Sequence, residues 1–149
     1  MQQLNFPEYP FRFKINENKR LIFDIIRKKF VVLTPEEWVR QHTVHFLIHE
    51  KKYPQSYISV EKTLLINGLK KRYDIIVHRP DGGFFLLVEC KEPAVAINQT
   101  VFDQIARYNM VLKSDFLMVT NGINHYYCKI DSEKKRYLFL RDIPNQSEQ

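Results

Sequence analysis

The feature that most constrains the fold is an apolar segment that ends in charged residues. Residues 84–88 read Phe-Phe-Leu-Leu-Val, and Glu89, Cys90 and Lys91 follow directly. Because side chains alternate along a strand, Glu89 and Lys91 are expected to share one face, with Cys90 on the other. Desolvating an unpaired ion is costly, so charges at the end of a buried strand need a partner. The strand therefore ends either at a functional site or at an ion pair.

A second strand is predicted at residues 70–77 and carries Asp74. The intervening residues 78–83 include one proline and two glycines, which are typical of a tight turn. We expect this hairpin to bring Asp74 beside Glu89. Two carboxylates and an ammonium at one spot suit a hard cation such as magnesium. A structural ion pair of Lys91 with either carboxylate explains the same pattern.

Size and charge limit the class of protein. We expect the 149 residues to form one domain, and the 44% hydrophobic content excludes general disorder, apart from a loose segment at 145–149. The net charge of +6, with basic clusters at 27–29, 70–72 and 134–136, permits contact with nucleic acid. No apolar run is long enough to span a bilayer and no signal peptide is evident, so we expect a soluble, cytoplasmic protein without a membrane partner.

The predicted elements follow the order of an α+β fold. They are strands at 11–15 and 21–26, an apolar segment at 30–33, a helix from 34 to about 50, strands at 57–66, 70–77 and 84–91, a helix at 98–113, and strands at 116–120, 125–130 and 136–140. The three middle strands are joined by short turns, including Asn67-Gly68, and are expected to form an antiparallel meander. We expect the first hairpin to extend or flank the main sheet.

Each predicted helix has an apolar side. The first carries Val39, Val44, Phe46, Leu47 and Ile48, and the second carries Val101, Ile105, Tyr108 and Leu112. The first helix also carries His42, His45 and His49. No carboxylate lies near them in the pattern of a zinc site, so a helix-surface or interface role is expected instead. Cys90 and Cys128 fall in predicted strands, outside any zinc-binding pattern, and are expected to be buried, reduced thiols.

Four segments resemble, in order, the PD-(D/E)xK nuclease superfamily, and within it the stand-alone relatives of the amino-terminal nuclease domain of type I restriction enzyme R subunits. They are Thr-Pro-Glu-Glu-Trp-Val-Arg-Gln at 34–41, Lys-Arg-Tyr-Asp-Ile at 71–75, Leu-Val-Glu-Cys-Lys-Glu-Pro at 87–93 and Phe-Asp-Gln-Ile-Ala-Arg-Tyr at 102–108. The resemblance implies a restriction-endonuclease-like core of helix, three-stranded antiparallel meander, helix and strand at 34–120. Residues 1–33 would be a β extension, and residues 121–149 would add strands and a tail.

The resemblance also implies roles for the charged residues. Asp74 and Glu89 would bind Mg²⁺, or Mn²⁺ in its place, and the backbone carbonyl of Cys90 would add a ligand. Lys91 would orient or deprotonate the attacking water. These three side chains, Asp74, Glu89 and Lys91, are the expected catalytic residues.

Two helical elements complete the expected site. A glutamate of the first helix would assist the metal. Glu36 is favoured over Glu37, because Glu37 has a structural role available as the reciprocal partner of a Thr34 cap, worth up to ~1 kcal/mol. Gln104 and Tyr108 lie four residues apart on the second helix and match a Gln-x-x-x-Tyr element that positions substrate. Tyr108 also fits the apolar side of that helix.

The expected function is that of a Mg²⁺-dependent nuclease that hydrolyses DNA phosphodiester bonds. The alternative is a non-catalytic nucleic-acid-binding or assembly module that retains the nuclease fold, and a third interpretation is a structural ion-pair cluster. The chain contains no Gly-x-x-x-x-Gly-Lys-Ser/Thr phosphate loop, so no ATP site is expected. DNA is the expected partner, and analogy adds a homodimer or other restriction-modification subunits.

Overall fold

Nine strands in two sheets and two α-helices make up residues 1–145, the part of the chain that the computed structural model describes. The first sheet contains β1 (Phe13–Asn16), β2 (Lys19–Asp24) and β3 (Lys29–Val32). The second contains β4 (Ile58–Ile66), β5 (Leu69–His78), β6 (Phe84–Cys90), β7 (Phe116–Thr120), β8 (His125–Asp131) and β9 (Arg136–Leu140). The helices are α1 (Pro35–His49) and α2 (Gln99–Asn109), with short 3₁₀ turns at Gln55–Tyr57 and Met110–Leu112. Apart from Asn145, the segment expected to be loose lies outside the described residues.

The second, main sheet has the strands in chain order, from β4 to β9. The predicted antiparallel meander of β4, β5 and β6 is confirmed. Strands β6 and β7 are parallel, and α2 supplies the crossover that a parallel connection needs. Strands β8 and β9 extend the sheet in antiparallel order. The fold is therefore mixed α+β and consists mostly of strands.

The amino-terminal strands form a sheet of their own. The apolar segment predicted at 30–33 is β3, which pairs with β2, while β1 closes the other edge. The turn between β1 and β2 consists of Glu17 and Asn18, both with positive φ, as a two-residue hairpin turn requires. The predicted hairpin is thus part of a three-stranded sheet that flanks the main sheet and does not extend it.

The two helices cover opposite faces of the main sheet. Helix α1 packs through Val39, Val44 and Leu47 on the face that carries Ile75, Val77, Leu86, Val88 and Met118. Helix α2 packs through Phe102 and Ala106 on the face that carries Ile76, Leu87, Leu117, Val119 and Cys128. Both cysteines are buried and free, as predicted. Neither helix is long and apolar enough to cross a membrane.

The predicted apolar side of α2 is confirmed only in part, since Ile105 and Leu112 pack against the core but are only partly buried. The buried residues of this helix are Phe102, Ala106 and Asn109, and Tyr108 is half exposed. A second set of residues, one position further along the chain, also repeats at helical spacing and begins with Phe102. The Phe102 ring packs against Tyr137 and Phe139 of β9. Aromatic packing therefore decides which face is buried.

Helix α1 is buried on more than its predicted apolar side. Beside Val39, Val44 and Leu47, it buries polar residues that the sequence does not mark as core: Glu37, Arg40, Gln41, His42, Thr43 and His45. The first sheet and the segment at 1–12 cover the face that does not contact the main sheet. This second cover buries Gln41, His42 and His45, whereas Arg40 is buried against carboxylates of β4 and β5.

The histidines of α1 pack with aromatic rings of the amino-terminal segment. His42 and His45 are buried and contact Phe11, while Tyr9 stacks near His45 and the exposed His49. The predicted helix-surface role is therefore wrong for His42 and His45. Burial lowers the pKa of His45 to about 4, so this side chain is neutral at pH 7.

We predict that Phe102→Ala lowers the free energy of unfolding by about 3–5 kcal/mol, because it opens a cavity under α2. Val101→Ala, its neighbour on the predicted but partly exposed side, should cost less than about 1 kcal/mol. Urea denaturation of both variants and the parent measures the difference. Equal losses would contradict the observed orientation of α2.

Candidate active site

A buried guanidinium group lies at the centre of the candidate site. The Nη2 atom of Arg40 is 2.7 Å from Glu36, 2.6 Å from Glu61 and 2.8 Å from Asp74, and its Nη1 atom is 2.8 Å from Glu37. The side chain of Arg40 is only 6% exposed. Burial alone would lower the pKa of Arg40, but the hydrogen bond to Asp74 and the charge of Glu37 raise it. Arg40 is therefore a permanent cation among four carboxylates.

Backbone geometry brings the carboxylates together. Glu36 and Arg40 lie one turn apart at the start of α1. Glu61 and Asp74 lie opposite each other in the β4–β5 ladder, between two paired positions. Glu61 has a φ of 55°, a conformation that costs a non-glycine residue about 1–3 kcal/mol and occurs preferentially at functional sites. Its side chain reaches Arg40 on α1, although the preceding residue, Val60, already packs in the core on that side.

Glu61 forms ion pairs with two guanidinium groups but accepts no hydrogen bond from Arg40. The Nη2 atom of Arg40 has two hydrogens, and it donates hydrogen bonds to Glu36 and Asp74. Glu61 contacts the same nitrogen and forms a second ion pair, at 2.7 Å, with the exposed Arg72 of β5. The group is therefore rich in carboxylate oxygens relative to the hydrogen-bond donors around it.

Glu37 has a structural role, though a different one from the role predicted. The hydroxyl of Thr34 accepts a hydrogen bond from the Glu37 backbone at 3.0 Å, which confirms the cap. The Glu37 carboxylate does not return to the Thr34 backbone; it binds Arg27, Arg40 and Gln41. A buried carboxylate gains more from two guanidinium groups than from one backbone N–H.

Glu36 keeps spare capacity for a ligand. Its side chain is 48% exposed, and within residues 1–145 it forms an ion pair only with Arg40. Partial burial raises its pKa, and the nearby charge of Asp74 adds to that rise. These properties favour Glu36 over Glu37 as the helix glutamate that faces a metal.

Asp74 joins the carboxylates to the end of β6. Its second oxygen accepts a hydrogen bond of 2.8 Å from the backbone of Cys90. The strand ends at Cys90, one residue earlier than predicted, but the Lys91 N–H still donates to the Thr120 carbonyl of β7 at 2.8 Å. The Lys91 side chain is half-buried and forms no ion pair among residues 1–145, and its charge acts on Glu36 and Glu89. Its ammonium is therefore available to a ligand.

Glu89 does not join the carboxylate group around Arg40. Its side chain is largely buried, and Oε1 lies 3.3 Å from the ammonium of Lys71 without a hydrogen bond of good geometry. Burial raises the pKa of Glu89, and the charge of Asp74 raises it further. The hairpin thus brings Asp74 and Glu89 within electrostatic range, but their side chains contact different cations.

Lys71 connects Glu89 to α2. Its ammonium lies 3.6 Å from the ring centre of Tyr108 and 5.0 Å from that of Tyr73. Gln104 is exposed one helical turn before Tyr108. The predicted pair on α2 is therefore at the surface, and Tyr108 reaches the Glu89 side of the site through Lys71.

Three of these side chains could hold a metal ion. Glu36, Glu61 and Asp74 each offer a carboxylate oxygen, and these atoms lie within 4.8 Å of one another. Hard oxygen donors of this kind fit Mg²⁺ or Mn²⁺. The residues therefore fit the metal that the resemblance implies, in competition with the Nη2 atom of Arg40, which contacts the same three groups.

Glu61 and Arg40 were not predicted as site residues, although the sequence contains a signal for each. Counting back from the Asn67-Gly68 turn places Glu61 directly opposite Asp74. Arg40 follows Glu36 by four residues, the spacing of an ion pair on a helix. Two carboxylates opposite each other in the β4–β5 ladder need a nearby cation, and Arg40 is a basic residue of α1 that could supply it.

We predict that Glu89→Gln raises the free energy of unfolding at pH 8 by about 0.5–2 kcal/mol. The pKa of Glu89 is raised in the folded state, so the stability that this group contributes is present at low pH and lost as the pH rises through that pKa. The gain should shrink toward zero as the pH falls toward 4. Urea denaturation across this range, with Glu92→Gln as the exposed control, tests it. A loss of stability at pH 8 would instead identify a stabilising Lys71–Glu89 ion pair.

The match to a known family follows the same elements. The family model described as type I restriction enzyme R protein N terminus matches residues 35–144. This span begins with α1 and includes every residue of the carboxylate group and of the Glu89 contacts. Comparison with curated proteins gives no match. The chain belongs to the family of type I restriction enzyme R protein amino-terminal domains.

Proposed function

We propose that the protein is a Mg²⁺-dependent nuclease that hydrolyses DNA phosphodiester bonds. The observation that carries this proposal is the group of Glu36, Glu61 and Asp74, whose oxygens lie within 4.8 Å of one another. The ammonium of Lys91, which has no ion pair within residues 1–145, lies in electrostatic range of this group. The element order of helix, three-stranded meander, helix and strand supports the proposal, because it is the order expected of a PD-(D/E)xK core.

Each carboxylate has a role in this proposal. Asp74, Glu61 and Glu36 hold the metal, which is Mg²⁺ or Mn²⁺. When bound, such a metal offsets charge on the phosphodiester as the leaving oxygen departs. The hydrogen bond from Cys90 fixes one oxygen of Asp74, so the carboxylate keeps its orientation. The carbonyl of Cys90 adds a further ligand.

Lys91 and Glu89 act on the other side of the site. Lys91 orients the attacking water as an ammonium, or accepts the proton of that water as a neutral amine, and its freedom from ion pairs among the described residues supports either role. Glu89 serves as a ligand or as a base. In either role its carboxylate gives up the contact with Lys71 and contacts the metal or the water instead. Gln104 and Tyr108 position the DNA strand, with Tyr108 and Lys71 acting together.

A non-catalytic nucleic-acid-binding or assembly module remains the second candidate. Arg40 favours it, because one guanidinium nitrogen already contacts all three carboxylates of the group and compensates charge there without a metal. In that case DNA, a second copy of the chain or other restriction-modification subunits would be partners but not substrates.

We predict that Asp74→Asn abolishes Mg²⁺-dependent cleavage of plasmid DNA. Lys91→Met should lower the cleavage rate by about 100- to 10,000-fold, because it removes a group that handles a proton. Glu92→Gln, an exposed carboxylate beside Lys91, should cleave like the parent. Cleavage that survives both site substitutions, or a parent protein without cleavage in Mg²⁺ and Mn²⁺, would contradict the nuclease proposal.

A further inference from the structure

The hairpin of β4 and β5 extends beyond the main sheet. Strand β5 pairs with β4 along nearly its whole length, but it pairs with β6 only from Ile75 to His78. Residues 62–72 therefore form a two-stranded arm without a third strand, called here the β4–β5 arm. Leu64 and Ile66 pack one face of the arm against the α2 side of the molecule. Its other face is exposed.

The β4–β5 arm is basic below its tip. It contains Lys62, Lys70, Lys71 and Arg72, and no acidic residue. Lys70 and Arg72 follow at two-residue steps from Asp74, so they lie on the face that leads from the carboxylate group to the tip of the arm. The ion pair of Arg72 with Glu61 agrees with this placement.

The tip of the β4–β5 arm is apolar. Leu65 and Leu69 flank the Asn67-Gly68 turn and are 71% and 70% exposed, the most exposed leucines of the described chain. A two-stranded ribbon fits the major groove of DNA, and leucine side chains serve as wedges between base steps in DNA-binding proteins. A basic arm with a leucine tip is chemically complementary to a nucleic acid duplex.

We propose that the β4–β5 arm docks duplex DNA. Lys62 and Lys70, which lie on opposite faces of the arm, bind phosphates on the two sides of a groove. Leu65 and Leu69 enter that groove, and Arg72 guides the backbone toward the carboxylate group. The choice of duplex DNA as the partner rests on the proposed function. The docking itself does not require catalysis.

The charge contribution is tested by the salt dependence of DNA binding. Fluorescence anisotropy with a short labelled duplex in EDTA, at increasing NaCl, compares the parent with Lys62→Gln/Lys70→Gln. The variant should bind about tenfold or more weakly, and the slope of log K against log salt should fall by about 2, one for each lost phosphate contact.

The matched control is Lys134→Gln/Lys135→Gln, which removes the same charge from the exposed turn between β8 and β9. It should retain nearly the whole slope. Equal losses in both double variants would mean that net charge, not the arm, drives binding. A larger loss of DNA affinity in the control would mean that DNA binds at the turn between β8 and β9. Either result overturns the proposal.

The tip is tested by Leu65→Ser/Leu69→Ser, whose exposed positions leave the core unchanged. This variant should bind the duplex more weakly with an unchanged salt slope. Sedimentation of the parent and the variant tests whether the arm binds a second copy of the chain instead of DNA. If DNA binding is unaffected and self-association is lost, the arm contacts a second copy of the chain and the proposal is wrong.

The outcomes for docking and for catalysis are separable. A parent protein that binds DNA through the β4–β5 arm in EDTA but never cleaves it would support docking at the arm and contradict the nuclease proposal. If the protein cleaves DNA and the Lys62→Gln/Lys70→Gln substitutions leave its affinity for DNA unchanged, docking at the arm is contradicted and the nuclease proposal stands.

Discussion

The interaction on which the rest of the structure depends is the contact of the Arg40 guanidinium with four carboxylates. It joins α1 to β4 and β5, because Glu61 and Asp74 come from those strands. Glu37 extends the network through Arg27 and Gln41 to Asp24 of the first sheet. Removing one partner from such a buried network costs about 3–5 kcal/mol, since it leaves an uncompensated charge. The same polar side of α1 therefore holds both sheets and forms the candidate site.

The site consists of two charge groups that meet at the end of β6. Glu36, Glu61 and Asp74 surround Arg40, whereas Glu89 faces Lys71 and the ring of Tyr108. Asp74 and Glu89 interact electrostatically, and the raised pKa of Glu89 records both its burial and that interaction. Their separation bears on the docking proposed for the β4–β5 arm. The arm carries Lys71 and Arg72, one cation for each group, so DNA bound along it would reach both.

Local signals predicted much of this arrangement, and long-range packing accounts for the differences. The Thr34 cap, the Asn67-Gly68 turn and the apolar run of β6 depend on neighbours in sequence, and all three are confirmed. The buried face of α2 depends on contacts of Phe102 with β9, which no local pattern contains. The polar core of α1 depends on a cover from residues 1–12 and the first sheet. Glu61 was missed because its positive φ breaks the alternation from which strand faces are inferred.

Calorimetric titration of Mg²⁺ into the parent protein and into Glu61→Gln tests whether the group of Glu36, Glu61 and Asp74 binds a metal. Glu92→Gln is the exposed control. Glu61 contacts Arg40 without a hydrogen bond from it and belongs to the three-carboxylate group. We expect one ion to bind to the parent and to the control, and clearly weaker binding by Glu61→Gln. Absence of binding to the parent, or equal binding by all three proteins, would mean that Arg40 alone compensates these carboxylates.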